Sequence, residues 1–368
     1  MQTLKVRNVC EAFAAGMSIV PQMCFTETSR AGPVLVAPGP VTTMYLSPME
    51  RVMFCSRRDA NPFFHLMESV WMLAGKNDAR WLDRYVGDFS KRFAEDDGYQ
   101  HGAYGHRWRR HFQDDDMDSP RVWLDQFLKI GDLLRRSPDT RQAVMAMWDP
   151  QEDLGVVRRD IPCNTHVYFR SRPPHRDDVD RRRWLDLTVC CRSNDIVWGA
   201  YGANAVHMSI MGEVIANLAD MRLGVYYQMS NNWHVYLDIY AKIMGVEPSK
   251  DGSPVDVKQL HADDRYASGQ IRKMVPVASD QLSAEEVLLD AASFVRDRDS
   301  VEQGRWRNFL CRSQWFEQVV VPMQMSHDFW RDGQRDKAIQ VADSIQADDW
   351  RVACQEWMRR RVARRRAS

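Results

Sequence analysis

The sequence has 368 residues, of which 44% are hydrophobic and 27% are charged, as is usual for globular enzymes. Fifty basic side chains balance fifty acidic ones, so no net charge attracts the chain to nucleic acid or to an acidic membrane. No apolar run is as long as a membrane span, and the first residues lack the pattern of a secretory signal. We therefore expect a cytoplasmic protein without membrane or nucleic-acid partners.

The cysteines are scattered, with no Cys-x-x-Cys pair and no cluster with histidine at zinc spacing. In a reducing compartment a disulfide framework is not expected, and no metal site is predicted. A reactive cysteine has to be identified from its neighbours. The eight cysteines are Cys10, Cys24, Cys55, Cys163, Cys190, Cys191, Cys311 and Cys354.

The sequence of residues 1–136 predicts helices, hairpin strands and a loop. Residues 1–50 indicate an N-terminal helix followed by hairpin strands. The segment NPFFHLMESVWMLAG predicts a buried helix that begins at Asn61-Pro62 and ends at Gly75. Residues 94–108, rich in Asp, Gly and Tyr, have loop character, and residues 121–136 predict an amphipathic helix.

The middle of the chain predicts a sheet and a long helix. RQAVMAMWDP, THVYFRSR and LDLTVCCRS are typical of short strands, with a polar loop between the last two. ANAVHMSIMGEVIANLADM has helical periodicity, and GVYYQMS predicts another core strand.

Residues 281–368 predict amphipathic helices, including a helical hairpin broken near Asp332-Gly333. We expect an α+β fold with a catalytic domain over residues 1–250 and a mainly helical C-terminal extension over residues 251–368. The basic tail WMRRRVARRRAS is predicted to be a solvated helix end with a frayed terminus.

Polar residues in three successive segments point to chemistry on a phosphorylated small molecule. Arg141 opens the first strand, Cys163 follows a proline before the second, and Arg192 and Ser193 end the third, with Asp195 just beyond. Arginine and serine bind phosphate oxygens, and a cysteine near arginines is expected to have a lowered pKa and to be nucleophilic. Each feature alone is weak, because a single cysteine or Arg-Ser pair is usually structural.

Taken in order, the segments RQAVMAMWDP, IPCNTH, CRSNDIVWGAYGAN and NNWHVY resemble the thymidylate synthase superfamily over roughly residues 30–240. The resemblance implies a mixed, twisted sheet with packed helices and a homodimer that forms through one face of the sheet. It also implies that Cys163 is the nucleophile that adds to C6 of a pyrimidine nucleotide, and that methylenetetrahydrofolate is the co-substrate.

Other roles follow from the same resemblance. The phosphate ligands would be Arg30, Arg192 and Ser193, with Arg141 donated across the dimer interface. Asp195 would hold the folate pterin, and Glu68 and Tyr104 would move protons near the base. His234 and Tyr236 would bind the sugar.

Several positions depart from the synthase pattern. Gln142 stands where a second interface arginine is usual, and Asn164 stands where histidine is usual. Ser90 and Phe93 occupy two positions of a tryptophan-rich wall on the folate side, so the one-carbon intermediate would be more open to water.

The base-reading segment GAYGAN is one residue longer than expected. Ala203 therefore aligns with the base-reading asparagine and Asn204 lies one position beyond. An asparagine amide can satisfy the uracil edge, whereas cytosine needs an acceptor for its exocyclic amine.

These departures favour the hydroxymethylase branch, whose products serve phage DNA modification or antibiotic synthesis. We predict a pyrimidine-nucleotide 5-hydroxymethyltransferase that prefers dUMP. The alternatives are a dCMP or CMP hydroxymethylase, a divergent thymidylate synthase, and a nucleotide-binding module without catalysis.

Overall fold

The computed structural model describes residues 1–114, 122–245, 260, 263–296 and 309–367. Within these residues eight strands form one mixed sheet, along which β1, β4, β10, β9, β8 and β7 are neighbours in that order. The β2–β3 hairpin extends the sheet beside β10. The strands are β1 (Gln2–Val6), β2 (Phe25–Ser29), β3 (Gly32–Val36), β4 (Val41–Tyr45), β5 (Gln113–Asp114), β6 (Val122–Trp123), β7 (Val144–Ala146), β8 (Asn164–Arg172), β9 (Trp184–Asp195) and β10 (Arg222–Tyr236), of which β5 and β6 pair separately.

Helices pack around this sheet and continue to the end of the chain. Strand pairs β1–β4 and β9–β10 are parallel and the other pairs are antiparallel, which is the mixed sheet expected of an α+β fold. The helices are α1 (Val9–Met23), α2 (Pro62–Leu73), α3 (Phe89–Phe93), α4 (Tyr104–Arg109), α5 (Gln126–Arg136), α6 (Pro150–Asp153), α7 (Asn204–Leu218), α8 (Leu237–Met244), α9 (Gln281–Arg296), α10 (Val321–Arg331), α11 (Arg335–Val341) and α12 (Asp348–Ala367). No helix among the described residues is long and apolar enough to cross a membrane.

Helix α2 forms where the sequence predicts it. The Asn61 side chain accepts a hydrogen bond from Phe64 N and so caps the helix, and Pro62 occupies its first turn. The chain leaves the helix at Gly75, whose φ of +68° is a conformation that glycine adopts without steric cost. Eleven of the twelve residues of α2 are buried, so a polar side chain on this helix faces protein or cavity.

Two element boundaries differ from the prediction. The helix predicted over 121–136 begins only at Gln126, because the Asp125 carboxylate caps it by accepting from Phe127 N and Leu128 N. The strand predicted at GVYYQMS extends over fifteen residues to Tyr236, because it pairs with β3, β4 and β9.

The C-terminal helices pack directly on α2. The Phe63 ring contacts Trp357 and His327, with centroid distances of 5.6 and 5.2 Å. The Tyr85 hydroxyl donates to Gln324 from the same region. The described part of the extension therefore shares a core with the catalytic part, and the predicted boundary at residue 250 lies outside the described residues.

The predicted solvation of the basic tail is wrong for Arg360 and Arg361, which are partly buried, whereas Arg364 stays exposed. Arg360, Arg361 and Arg364 all donate to the Asp59 carboxylate, at 3.1, 3.1 and 3.0 Å. We call this cluster the Asp59 clamp. It attaches the last helix to the segment that precedes α2, because the three arginines recur at nearly helical spacing and meet one carboxylate.

We expect Asp59→Asn to lower the free energy of unfolding by about 1–2 kcal/mol near neutral pH. Burial raises the pKa of Asp59, but Arg361, Arg360 and Arg364 outweigh burial and leave that pKa below its ordinary value of 3.8. A lowered folded pKa stabilises the protein above pH about 4, and that contribution is lost as the pH falls through the folded value. Denaturant unfolding of both proteins between pH 3 and 7 should show a difference that shrinks in acid.

Asp88→Asn is the matched control. Asp88 is fully exposed and pairs with Lys91 one helical turn away, so its replacement should leave the unfolding midpoint unchanged. A stability difference for Asp59→Asn that grew below pH 4 would contradict the clamp.

Candidate active site

A cavity of about 550 Å³ lies between α2, α7 and the loop that precedes α4. Its lining combines apolar and aromatic side chains with acids, amides, histidines and two arginines. Its lining residues include Arg58, Asp59, His65, Glu68, Trp71, Phe89, Phe93, Tyr104, Asp160, Trp198, Ala203, Asn204 and His207. An apolar cleft with a few convergent polar groups is the usual form of a small-molecule site.

Cys163 lies beside this cavity, immediately before strand β8. Adjacent β9 brings Arg192 to it, and Arg192 N donates to Cys163 O at 2.8 Å. The Arg192 guanidinium also donates to the carbonyls of Pro162 and Ile161, at 2.9 and 3.0 Å, and its Nη2 is 3.9 Å from Cys163 Sγ. These contacts hold the guanidinium next to the sulfur.

The expected lowering of the Cys163 pKa is wrong. Burial raises the pKa of this thiol above its ordinary value, and Asp160 raises it further, while Arg192 and Arg30 oppose the shift. Arginines nearby are therefore not sufficient for a thiolate when the sulfur is buried and a carboxylate is close.

Of the other predicted phosphate ligands, Arg30 and Ser193 lie near the loop before Cys163 or next to Arg192, and Arg141 does not. Arg30, in the β2–β3 turn, reaches the loop that precedes Cys163, where its guanidinium donates to Arg158 O and Arg159 O at 3.3 and 3.4 Å. Ser193 follows Arg192 on β9 and pairs with Asn232 of β10. Arg141 is exposed before β7, and no contact among the described residues joins it to the Cys163 loop.

The base-reading segment forms a kinked π-helix directly before α7. This wider helix covers Ile196–Ala203, and the backbone angles of Tyr201 and Gly202 within it are not helical. π-Helical turns are often found at functional sites. Asn204 and Ala203 both line the cavity, and Asn204 contacts Asn164.

Three asparagine amides form a relay behind the cavity wall. Asn164 Nδ2 donates to Asn204 Oδ1 at 3.3 Å, and Asn204 Nδ2 donates to Asn194 Oδ1 at 3.2 Å. The relay ends where Asn194 Nδ2 donates to Ser230 Oγ at 3.0 Å, and it begins where Cys191 Sγ donates to Asn164 Oδ1. Because every amide donates in the same direction, Asn204 cannot rotate by 180° without breaking two hydrogen bonds. One N–H and one acceptor lone pair of Asn204 remain for a ligand.

Asp195 caps the π-helix with one oxygen and leaves the other without a partner. Its Oδ1 accepts from Val197 N and Trp198 N at 2.9 and 2.5 Å, while the buried Oδ2 has no hydrogen-bond partner among the described residues. Burial raises the pKa of Asp195, although the Trp198 amide, His234, the Val197 amide and Arg58 oppose the shift. A buried carboxylate oxygen without a partner is suited to receive a donor from a ligand.

His234 and Tyr236 end strand β10 next to Asp195. His234 pairs with Asp195 in the parallel ladder, and its Nδ1 is 2.7 Å from Asn232 Oδ1. The rings of His234 and Tyr236 lie edge to face, with a centroid distance of 5.8 Å. The strand pairing therefore places His234 and Tyr236 at the same edge of the sheet as Asp195.

Glu68 and Tyr104 both line the cavity, on α2 and at the start of α4. The Tyr104 hydroxyl accepts from Asn164 N at 3.4 Å. Burial raises the pKa of Tyr104 well above its ordinary value, as do Cys163 and Asp160, so Tyr104 is a neutral phenol at physiological pH.

The two predicted wall positions behave differently. Phe93 lines the cavity together with Phe89, one turn earlier on α3. Ser90 does not line it, because both its amide and its hydroxyl donate to the Asp83 carboxylate, at 2.7 and 2.6 Å. A cofactor contact by Ser90 is therefore not supported, and two phenylalanines form this part of the wall instead.

Comparison with known proteins gives the family. A model of the thymidylate synthase family matches residues 55–265. The chain is 37% identical over 367 residues to a deoxyuridylate hydroxymethyltransferase of Pseudomonas phage M6, which covers 99% of this chain and 95% of that protein. The chain belongs to the thymidylate synthase family.

Two further relatives place the chain within this family. It is 34% identical over 228 residues to a deoxyuridylate hydroxymethyltransferase of Bacillus phage SP01, covering 59% of this chain and 56% of that protein. It is 24% identical over 192 residues to the thymidylate synthase of Candida albicans, covering 46% and 61%. The predicted membership in the hydroxymethylase branch is confirmed, and this family member is a one-carbon transferase.

Two cavity residues of this thymidylate synthase family member were missed in the sequence. Arg58 is buried, donates to Val197 O at 2.7 Å and stacks over the Trp198 ring at 4.5 Å. Burial lowers the pKa of Arg58 to about 10. His207 lies in the long apolar segment of α7, where a single histidine is usually structural. Ser209 and Glu213 are also polar and buried on α7, so the histidine gave no specific signal in the sequence.

A buried ion cluster behind Tyr104 was missed as well. The Arg107 guanidinium and the His101 ring both contact the Asp153 carboxylate, at 2.9 and 2.7 Å. Gln100, next to His101, donates to Asp160 Oδ2 at 2.7 Å. These contacts tie the loop before Tyr104 to the loop before Cys163. Within the described ranges, no group of three or more His, Cys, Asp or Glu residues could hold a metal ion.

Proposed function

We propose that this enzyme is a deoxyuridylate 5-hydroxymethyltransferase that uses methylenetetrahydrofolate as its one-carbon donor. The position of Asn204, at the cavity wall and hydrogen-bonded to the residue after Cys163, carries the proposal. A relative that is similar over 99% of this chain bears the name deoxyuridylate hydroxymethyltransferase, which supports dUMP as the substrate.

In this proposal Cys163 attacks C6 of the base and makes C5 nucleophilic. Because burial raises the pKa of this thiol, substrate binding has to favour its ionisation. Arg192 is the nearest cation and lies 3.9 Å from the sulfur. Arg192, Ser193 and Arg30 would bind the phosphate, and His234 and Tyr236 the sugar.

The fixed orientation of Asn204 supports recognition of a uracil edge. Its free lone pair would accept from N3–H and its free N–H would donate to O4. Asn164 and Ala203 complete this part of the pocket, with Asn164 holding the Asn204 amide in place. A cytosine edge presents donor and acceptor in the reverse order, so the relay would disfavour it.

The folate would lie along the aromatic wall, where it supplies the one-carbon unit. Phe89, Phe93 and Trp198 offer ring faces, and Asp195 Oδ2 lacks a partner among the described residues. A pterin has a flat ring and an amine–amide edge that donates hydrogen bonds, so these groups fit it. Tyr104 and Glu68 would serve the proton transfer from C5.

We further infer a homodimer in which Arg141 of each subunit binds phosphate in the partner's site. Its exposed position before β7 leaves it available for this contact. The phage relatives support a role in the host cytoplasm, in the supply of a modified base for phage DNA.

Product analysis tests the proposal. The enzyme is incubated with methylenetetrahydrofolate and dUMP, dCMP or CMP, and the nucleotide product is weighed by mass spectrometry. We expect 5-hydroxymethyl-dUMP with tetrahydrofolate as the second product. A methylated nucleotide with dihydrofolate would contradict the proposal and identify a thymidylate synthase activity, and turnover of dCMP or CMP alone would contradict the substrate.

A further inference from the structure

Glu68 and His207 face each other across the cavity wall as a pair of groups without hydrogen-bond partners. Their residues are only 7% and 2% exposed, and Glu68 Oε2 lies 3.2 Å from His207 Nε2. The contact is close enough for an ion pair but is not aligned as a hydrogen bond, and both atoms are without a hydrogen-bond partner among the described residues. A buried polar atom without a partner is costly, so both atoms favour a third group that bonds to them.

Helix geometry places this pair in the cavity next to Asn204, the residue proposed to bind the base. His207 is three residues after Asn204 on α7, so the two share one helix face, and both line the cavity. His65 is three residues before Glu68 on α2 and lines the same cavity. Burial lowers the pKa of His65 well below its ordinary value, and Arg58 and His207 lower it further, so His65 is neutral.

A purely structural pair would have a different geometry. Buried ion pairs that stabilise a fold are usually aligned as hydrogen bonds, as Arg107 and Asp153 are at 2.9 Å. Glu68 and His207 are misaligned and open to the cavity. A water molecule needs two to four polar partners to be held in such a site, and this pair supplies two.

We propose that Glu68 and His207 together bind and activate the water that supplies the hydroxyl group of the product, with His207 as a further catalytic residue. This inference rests on the proposed function, because a methyl-forming enzyme would need no such water.

Hydration of the one-carbon intermediate begins when the water oxygen forms a bond to the exocyclic methylene carbon at C5. The electron pair of that double bond moves to the C5–C4–O4 enolate, and the proton of the water passes to the Glu68–His207 pair. The enolate pair then re-forms the C5=C6 double bond and the C6–S bond to Cys163 breaks. This step releases the thiolate and the 5-hydroxymethyl nucleotide.

The test separates hydration from the steps before it. Release of tritium from dUMP labelled at C5 reports thiol addition, one-carbon transfer and loss of the C5 proton. The hydroxymethyl product reports the hydration. An added small thiol, such as 2-mercaptoethanol, should attack an unhydrated methylene and leave a thioether that mass spectrometry detects.

For His207→Gln and His207→Ala we expect tritium release within about threefold of wild type. Formation of the hydroxymethyl nucleotide should fall by about 10²-fold, with the thioether appearing in its place. A glutamine side chain keeps a donor and most of the volume of histidine, so the same split in both variants would not be explained by a packing defect.

His327→Gln is the matched control. His327 is equally buried, has an unpartnered ring nitrogen among the described residues and lies in the C-terminal core away from the cavity. The substitution should lower the melting temperature without changing the ratio of hydroxymethyl product to released tritium.

Two outcomes would overturn the inference while leaving the proposed function intact. If both His207 variants lost tritium release and product in equal proportion, His207 would act before hydration or hold the fold. If product formation stayed at the wild-type level, His207 would have no catalytic role. A wild-type enzyme that formed thymidylate and dihydrofolate would overturn the proposed function, and this inference with it.

Discussion

Cys163→Ser is expected to reduce the turnover of dUMP by about 10⁴-fold or more, because removal of a covalent nucleophile eliminates the whole reaction path. A serine hydroxyl has the same shape but is a far weaker nucleophile towards C6. The loop should stay folded, since its carbonyls rather than the sulfur hold Arg192, at 2.9 and 3.0 Å. Tritium release from C5-labelled dUMP and hydroxymethyl formation should both be lost, while dUMP binding measured by calorimetry should remain.

Cys190→Ser is the matched control for this prediction. Cys190 has intermediate exposure, as Cys163 does, lies on β9 next to the site, and has a pKa that burial raises. The variant should retain near wild-type turnover. If Cys163→Ser turned over dUMP as fast as wild type, Cys163 would not be the nucleophile.

Asn204→Asp is expected to lower kcat/KM for dUMP by about 10²-fold or more, because a carboxylate cannot donate to O4 of uracil. The same carboxylate accepts from the exocyclic amine of cytosine, so kcat/KM for dCMP should rise relative to dUMP. Parallel assays with both nucleotides, each with product mass determination, measure the change in the ratio. The variant also loses the donor to Asn194 Oδ1, so part of its loss with dUMP comes from a broken relay.

Asn204→Ala separates the two effects. It removes the relay contacts and both base contacts, so it should weaken turnover of dUMP and dCMP without favouring dCMP. A ratio of dCMP to dUMP turnover that is the same in Asn204→Asp and Asn204→Ala would show that Asn204 does not read the base.

Much of the fold could be predicted from local sequence patterns. The helix capped by Asn61 and Pro62 follows from side chains that bond to their own neighbours, and so does the helical break at Gly333, whose φ is +81°. The alternating strands β8 and β9 were also predicted, because their periodicity reflects burial on two faces of a sheet. Boundaries such as Gln126 were missed because a capping aspartate inside an apolar pattern decided them.

Some residues of the site were predicted from the sequence, and others were missed. Ordered motifs predicted site roles for Cys163, Arg192, Asp195, His234 and Tyr236, which lie on or next to strands that are adjacent in the sheet. The pKa of Cys163 was predicted in the wrong direction, because burial of a sulfur is a property of the packed protein. Arg58 and His207 were missed because nothing in their own segments distinguishes a cavity side chain from a buried structural one.

The resemblance of ordered motifs in the sequence was sufficient to indicate the family, which the comparisons confirm, and to predict the candidate reactive groups. Three other points emerged only from the folded chain. Asn204 lines the cavity directly after a kinked π-helix, Glu68 lies opposite His207, and the basic tail is attached to Asp59. Each of these depends on contacts between segments far apart in the chain, where the free energy comes from burial and from satisfying polar groups across elements.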